Sequence, residues 1–260
     1  MIQIRSCVGF EELDAAVQME IATWGYDTTD IIPRKAFLVT QKIGGQVLGA
    51  FDTEIAAQSN AGRMVGFAMA MAGMKARAGQ EPMPYLHSHM LAVKPHYRNQ
   101  GLGYRLKCAQ REEALGRGIR WMEWTFDPLE IKNAYLNIAK LGAVVRAYRA
   151  NFYGSSTSKL QGGLPTDRLL AEWEMDSERV RRALHGEPAA SFSVEERIEV
   201  PAAIYAWKAS EEDRERARAV QQRNREHFEQ AFARGLAVLG FSRNAAGDGI
   251  FELGTAESAY

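Results

Sequence analysis

The chain has 260 residues, 46% of them apolar and 25% charged, with 32 acidic and 32 basic side chains. This is the make-up of a folded globular protein, and a formal net charge of zero argues against a general nucleic-acid binder. Cys7 and Cys108 form neither a disulfide framework nor a zinc motif, no apolar run reaches membrane-spanning length, and the N-terminus lacks the apolar core of a signal peptide, so a cytoplasmic setting without membrane or nucleic-acid partners is expected.

IQIRS alternates like a strand, and GFEELDAAVQMEIATWG places Phe10, Leu13, Val17 and Ile21 at helical spacing. Pro33 suits the first turn of a short helix over Arg34–Ile43. GGQVLGAFD and GRMVGFAMAMAG read as two strands, and PYLHSHMLAVKP as a fourth that Pro95 ends. Leu102, Leu106 and Ala109 predict a helix from about Gly101 to Leu115, closed by Gly116 and Gly118. IRWMEWTFD is a fifth strand. DPLE then predicts a helix start, with Asp127 as N-cap, Pro128 in the first turn and Glu130 as capping-box partner. Ile131, Ala134, Tyr135, Ile138 and Leu141 form its apolar stripe.

AVVRAYR and RLLAEWEMD come next as a strand pair around a loop of about seventeen residues, a length that is usually functional or mobile. After Asp176 the texture changes. SERVRRALHG is a short charged helix, ERIEVPAAIYAW is strand-like, a highly charged helix runs from Ser210 to about Arg234, and two strands close the chain. The predicted domains are residues 1–176 and an α/β extension over 177–260, with Ile198, Val200, Phe228 and Phe232 buried.

The most informative stretch is VKPHYRNQGLGYRL, Val93 to Leu106. An apolar strand ends, Arg98 comes after it, and Gly101 and Gly103 open a helix. Free N–H groups at a helix start, the positive end of its dipole and one arginine make an anion site, and glycines let a pyrophosphate approach the main chain. A P-loop is excluded because no Gly-Lys-Ser/Thr is present at its end, and a dinucleotide fingerprint because Leu106 stands at its third glycine. A plain strand-to-helix turn is the competing reading.

Val93, Pro95, Arg98, Gly101, Gly103 and Leu106 match, without a gap, the motif V-x-P-x-x-R-x-x-G-x-G-x-x-L. With the order of elements around it, residues 1–176 resemble the GNAT superfamily of acyl-CoA-dependent N-acyltransferases, in a bacterial branch with a C-terminal extension. The resemblance implies an α/β fold: a mixed, mostly antiparallel sheet flanked by helices and splayed between its fourth and fifth strands. It also implies acetyl-CoA or another acyl-CoA as co-substrate. The pantetheine arm would lie along Leu91, Ala92 and Val93, and the pyrophosphate against Arg98, Asn99, Gln100, Gly101, Leu102, Gly103 and Tyr104. The helix after the fifth strand departs from the family pattern. Ile131 replaces the usual Asn, and Ile138 replaces the Tyr that commonly protonates the leaving thiolate. Tyr135, three residues earlier, is a substitute or a core residue.

The family base sits on the fourth strand, and His87 falls near its place; His87 and His89 share a face with Leu91 and Val93. Glu123, between Trp121 and Trp124, is the second candidate base, because burial there would raise its pKa. His-x-His could bind metal, but no third ligand has suitable spacing, so no metal is expected. These residues predict acyl transfer, acetyl in the first instance, to a primary amine of a small molecule or amino acid by direct attack in a ternary complex. The missing Tyr leaves a second reading, a non-catalytic acyl-CoA-binding sensor or structural protein. The extension would limit the acceptor cleft or build a homodimer.

Overall fold

The computed structural model describes residues 1–76, 81–187 and 191–255. The chain divides into two compact units, Met1–Glu123 and Trp124–Tyr260. Residues on both sides of Asp176 belong to the second.

The first unit opens with β1 (Ile2–Ser6), α1 (Gly9–Trp24) and α2 (Arg34–Lys42). Three long strands come next: β2 (Gln46–Asp52), β3 (Met64–Lys75) and β4 (Met83–Val93). Then come α3 (Leu102–Gly116) and β5 (Trp121–Phe126), whose last three residues enter the second unit. The strand order is β1-β2-β3-β4-β5. The first three pairings are antiparallel, and β4 with β5 is parallel. One core joins Leu13, Ala16 and Met19 of α1 to Phe37, Phe67, Met69 and Met90. A second packs Leu102 and Leu106 of α3 on Ala50, Val65 and Ala68.

The buried face of α1 is rotated from the predicted one. Phe10 is 59% exposed, and Glu12 and Glu20 are buried. Both carboxylates have main-chain work that periodicity does not reveal. Glu12 accepts from the Val8 N–H and takes both arms of Arg5 at 2.7 Å, while Glu20 accepts from the Ile32 N–H at 2.9 Å.

In the second unit the helix after β5 starts at Ile131, later than predicted, as one α turn (α4, Ile131–Ala134) that widens into a π turn over Tyr135–Lys140. Asp127 accepts from the Leu129 N–H, and Asp127 and Glu130 each take the buried Lys208 ammonium at 2.9 Å. They are therefore an ion-pair site, not the predicted capping box. The next elements are β6 (Val144–Arg149), β7 (Arg168–Glu174), α5 (Glu178–Leu184) and β8 (Glu196–Val200). Residues 201–207, expected to continue β8, instead turn into α6 (Ile204–Ala209). Then come α7 (Arg214–Ala233), β9 (Leu236–Arg243) and β10 (Gly249–Thr255). Here β7, β6, β9, β10 and β8 are successive neighbours.

Ile198, Val200 and Phe228 are buried as predicted. Phe232 is half-buried, stacked on Phe228 at 5.7 Å between centroids. The long loop over 151–167 is tied down: Asp167 accepts from the Tyr148 hydroxyl, the Asn151 N–H, and Nε and Nη2 of Arg225.

Candidate active site

Side chains of β4 alternate strictly. Leu86, Ser88, Met90 and Ala92 are buried, while Tyr85, His87, His89, Leu91 and Val93 are half-exposed on the other face, as the period of two requires. Opposite β3, Met90 pairs with Met69 and Ser88 with Ala70, so His89 is an extra residue, a β-bulge that re-aims the strand. The β4–β5 ladder, among the described residues, consists of Leu86↔Met122 and His87↔Glu123. Beyond it, Ser88 to Val93 carry backbone groups that this ladder does not use. Such a fork is what the expected splay between these strands requires.

His87 and Glu123 meet at that fork. One Glu123 oxygen lies 3.5 Å from His87 Nδ1, and the other takes the Lys75 ammonium. Burial pushes the Glu123 carboxyl up, but the hydrogen bonds from His87 and Lys75 outweigh it and hold it below its ordinary value. The expected raised pKa is therefore overturned. At neutral pH Glu123 is a carboxylate that can orient an imidazole or hold an ammonium, and it has no vacancy as a base. The imidazole of His89 is 6.1 Å from that of His87, and burial first, then His87, pushes its pKa down and keeps it neutral.

Lys75 and Tyr85 escaped the sequence reading. The Lys75 ammonium sits 5.8 Å from the Tyr85 ring centre, and burial, then the Glu123 charge, raises the Tyr85 hydroxyl. A Cβ at Gly73 would stand 2.7 Å from the Tyr85 ring, so the glycine marks where the aromatic folds back over β3. That glycine in an otherwise apolar strand was the available signal.

After the C-terminal end of β4, Pro95–Tyr97 make a 3₁₀ turn, and Arg98 donates from Nε to the Val93 carbonyl at 2.9 Å. Gln100 donates to the His96 carbonyl at 2.6 Å. Asn99 (φ 59°) and Gly101 (φ 76°) are both left-handed, which swings the chain into α3. No side chain caps the N-terminus of α3, its first turn holds no acidic residue, and a Cβ on Gly101 would meet nothing within 4 Å. Leu102 and Leu106 anchor the helix below, so the N–H groups of Leu102, Gly103 and Tyr104 lie on a fixed base. Leu91 and Val93 pack half-buried on the same cluster, and Ala92 is buried behind them. This surface fits a pyrophosphate by its donors, its positive dipole end and its open glycine.

Tyr135 lies in the second unit and is no core residue. It is half-exposed, with the Arg243 guanidinium 5.1 Å and the Lys140 ammonium 5.6 Å from its ring centre. The remaining stripe residues Ile131, Ala134, Ile138 and Leu141 are buried. The tyrosine lies off the buried stripe where the helix passes from its α turn into the π turn. Among the described residues no group of three or more His, Cys, Asp or Glu could hold a metal ion, and no helix is long and apolar enough to cross a membrane.

No family model matches the chain, and no curated protein sequence does. Solved structures do match it. Arabidopsis thaliana NAA60 in complex with acetyl-CoA is 13% identical with a TM-score of 0.51, over 67% of this chain and 99% of that one. An N-acetyltransferase from Staphylococcus aureus Mu50 is 16% identical with a TM-score of 0.50, over 68% and 99%. The NatC complex bound to Gag peptide and CoA gives 12% and 0.50, over 66% and 98%. The chain has the GNAT fold, mostly antiparallel, with β4 and β5 paired in parallel.

Proposed function

We propose that the chain is an acyl-CoA-dependent N-acyltransferase of the GNAT superfamily, with residues 1–176 as its acyltransferase part and 177–260 as an extension. It moves an acetyl group from acetyl-CoA to the primary amine of a small molecule or amino acid, by direct attack in a ternary complex. One observation carries this reading. A single strand, β4, leads at its C-terminal end to Arg98 and the uncapped α3, and carries the His87–Glu123 fork midway along its length. A strand rises about 3.3 Å per residue, so the six steps from Val93 to His87 span about 20 Å, the stretch along which a pantetheine arm would lie.

Each residue then has work. Arg98 and the amides of Asn99 to Tyr104 hold the pyrophosphate; Leu91, Ala92 and Val93 hold the arm. Glu123 draws the acceptor ammonium in and steadies His87 through Nδ1, which leaves the far imidazole nitrogen to take the proton before attack. The departing thiolate has an ordinary pKa of about 8.5, so it needs little help to gain a proton. Tyr135 is the proposed donor, of secondary importance. Calorimetry with CoA tests the donor site. Arg98→Ala should weaken binding by about 1.5–3 kcal/mol, the scale of a charge-assisted hydrogen bond, or roughly ten- to a hundredfold. Absence of CoA binding by the native chain would overturn the reading.

The buried Ile138 in place of the family Tyr favours a second reading, a sensor that binds acyl-CoA without turnover. Release of free thiol in the presence of an amine separates the two.

A further inference from the structure

Lys208 explains itself as structure, because it is buried between two carboxylates and neutralises both. Lys75 is different. It is the last residue of β3, its side chain is 32% exposed, and its ammonium leaves the strand end to reach Glu123. Glu123 is the same carboxylate whose other oxygen faces His87 Nδ1 at 3.5 Å. A primary amine, an anionic seat for it and an imidazole base are thus assembled from this chain alone. The seat is at the fork where the β4–β5 ladder ends.

We infer that Lys75 is an internal acceptor: the chain transfers an acyl group from acyl-CoA to its own Lys75 Nζ. The inference rests on the proposed acyltransferase reading. It comes from the chemistry of the seat, because a site that attracts the ammonium of a free amine cannot distinguish it from one delivered by β3. The step balances. His87 takes one proton from the ammonium, and the neutral Nζ attacks the thioester carbonyl. The C–N bond forms as the C–S bond breaks. The second proton on nitrogen goes to the thiolate, leaving an amide on Lys75, free CoA thiol, and one proton that His87 releases to solvent. The amide carries no charge, so it gives up Glu123 and vacates the seat for a free acceptor.

The experiment incubates the full chain with acetyl-CoA and monitors each lysine by peptide mass spectrometry. Lys35 and Lys94, both exposed, report unassisted acetylation. Sharing Glu123 with the base should make Lys75 react at least about tenfold faster than either, far below what well-oriented groups can reach. Its rate should not change on dilution of the protein, because the transfer is intramolecular. His87→Ala, and His87→Gln as a variant that keeps more of the side-chain volume, should slow Lys75 and leave Lys35 untouched. The inference is overturned if Lys75 stays unmodified, if it matches the exposed lysines, or if both His87 variants acetylate it at the native rate. Calorimetry with CoA and thiol release with free amines run alongside. If CoA binds and amines turn over while Lys75 stays bare, the inference alone falls. If CoA does not bind, the acyltransferase reading falls with it.

Discussion

Glu123→Gln is the most informative single change, because the carboxylate touches both partners at the fork and the amide is nearly isosteric. When His87 takes a proton, an imidazolium forms 3.5 Å from a Glu123 oxygen. Two unit charges at that distance attract by about 1 kcal/mol in water-like surroundings and about 5 kcal/mol at an effective dielectric of 20. His87 and Glu123 side chains are 23% and 10% exposed, so the site lies between those limits. Lys75 already neutralises part of the carboxylate. A loss of about 2–3 kcal/mol is therefore expected in the variant, or roughly 30- to 150-fold in kcat/KM. His87→Ala, which removes the base itself, should cost about 10²–10⁴. The assay is thiol release from acetyl-CoA with the best acceptor in an amine panel, across pH. Losing the neighbouring anion removes the attraction that stabilises the imidazolium formed during attack, so kcat/KM should fall while CoA affinity is unchanged. Unchanged kcat/KM in Glu123→Gln, beside a large loss in His87→Ala, would show that Glu123 does not act through His87.

Other outcomes are equally specific. Tyr135→Phe should lower kcat far less than His87→Ala in the same thiol-release assay; a collapse in Tyr135→Phe alone would make it the essential acid. Asp167→Ala strips a fully buried carboxylate from Arg225, Tyr148 and the Asn151 N–H and should cost about 3–5 kcal/mol in urea unfolding, the scale of a broken buried pair. Burial raises Glu20 to about 7, against a weaker opposing hydrogen bond from Ile32. Its unfolded form loses the proton near its ordinary value and its folded form only near 7, so Glu20 costs nothing in acid and weakens the fold as pH rises between the two. Glu20→Gln should therefore gain up to about 3 kcal/mol on the native protein between pH 4.5 and 8 in urea melts, and a pH-independent difference would contradict that. Truncation after Asp176 removes β9, the partner of β6 at Val145↔Val238, and Phe228, stacked 5.8 Å from Tyr148. The shortened chain should lose its cooperative melt.

What the sequence made legible is what short-range chemistry encodes. The stretch from Val93 to Leu106 announces a strand end, a positive turn and a helix start in fourteen consecutive residues, and the backbone angles of Asn99 and Gly101 agree with that local pattern. The face that His87 shares with His89, Leu91 and Val93 was legible through the period of β4. What failed depended on distant partners. Glu123 looked like a base because its strand neighbours are tryptophans; His87 across the ladder and Lys75, forty-eight residues earlier, together reverse that. Asp127 and Glu130 looked like caps because Lys208 is eighty-one and seventy-eight residues away. Tyr135 sat on an α-helical stripe by its spacing, yet it is exposed where the helix widens into a π turn. The buried face of α1 was misjudged because two inward glutamates are satisfied by Arg5 and by main-chain N–H groups that an apolar pattern cannot register.

The enzyme reading stands on one step, activation of an amine by the His87–Glu123 fork for attack on a thioester. The decisive measurement is the initial rate of thiol release from acetyl-CoA, with and without a panel of primary amines, for the native chain and His87→Ala at equal CoA occupancy. Amine-dependent release by the native chain is expected, reduced about 10²–10⁴-fold in His87→Ala with CoA affinity unchanged. Amine-dependent release at the native rate in His87→Ala would contradict it.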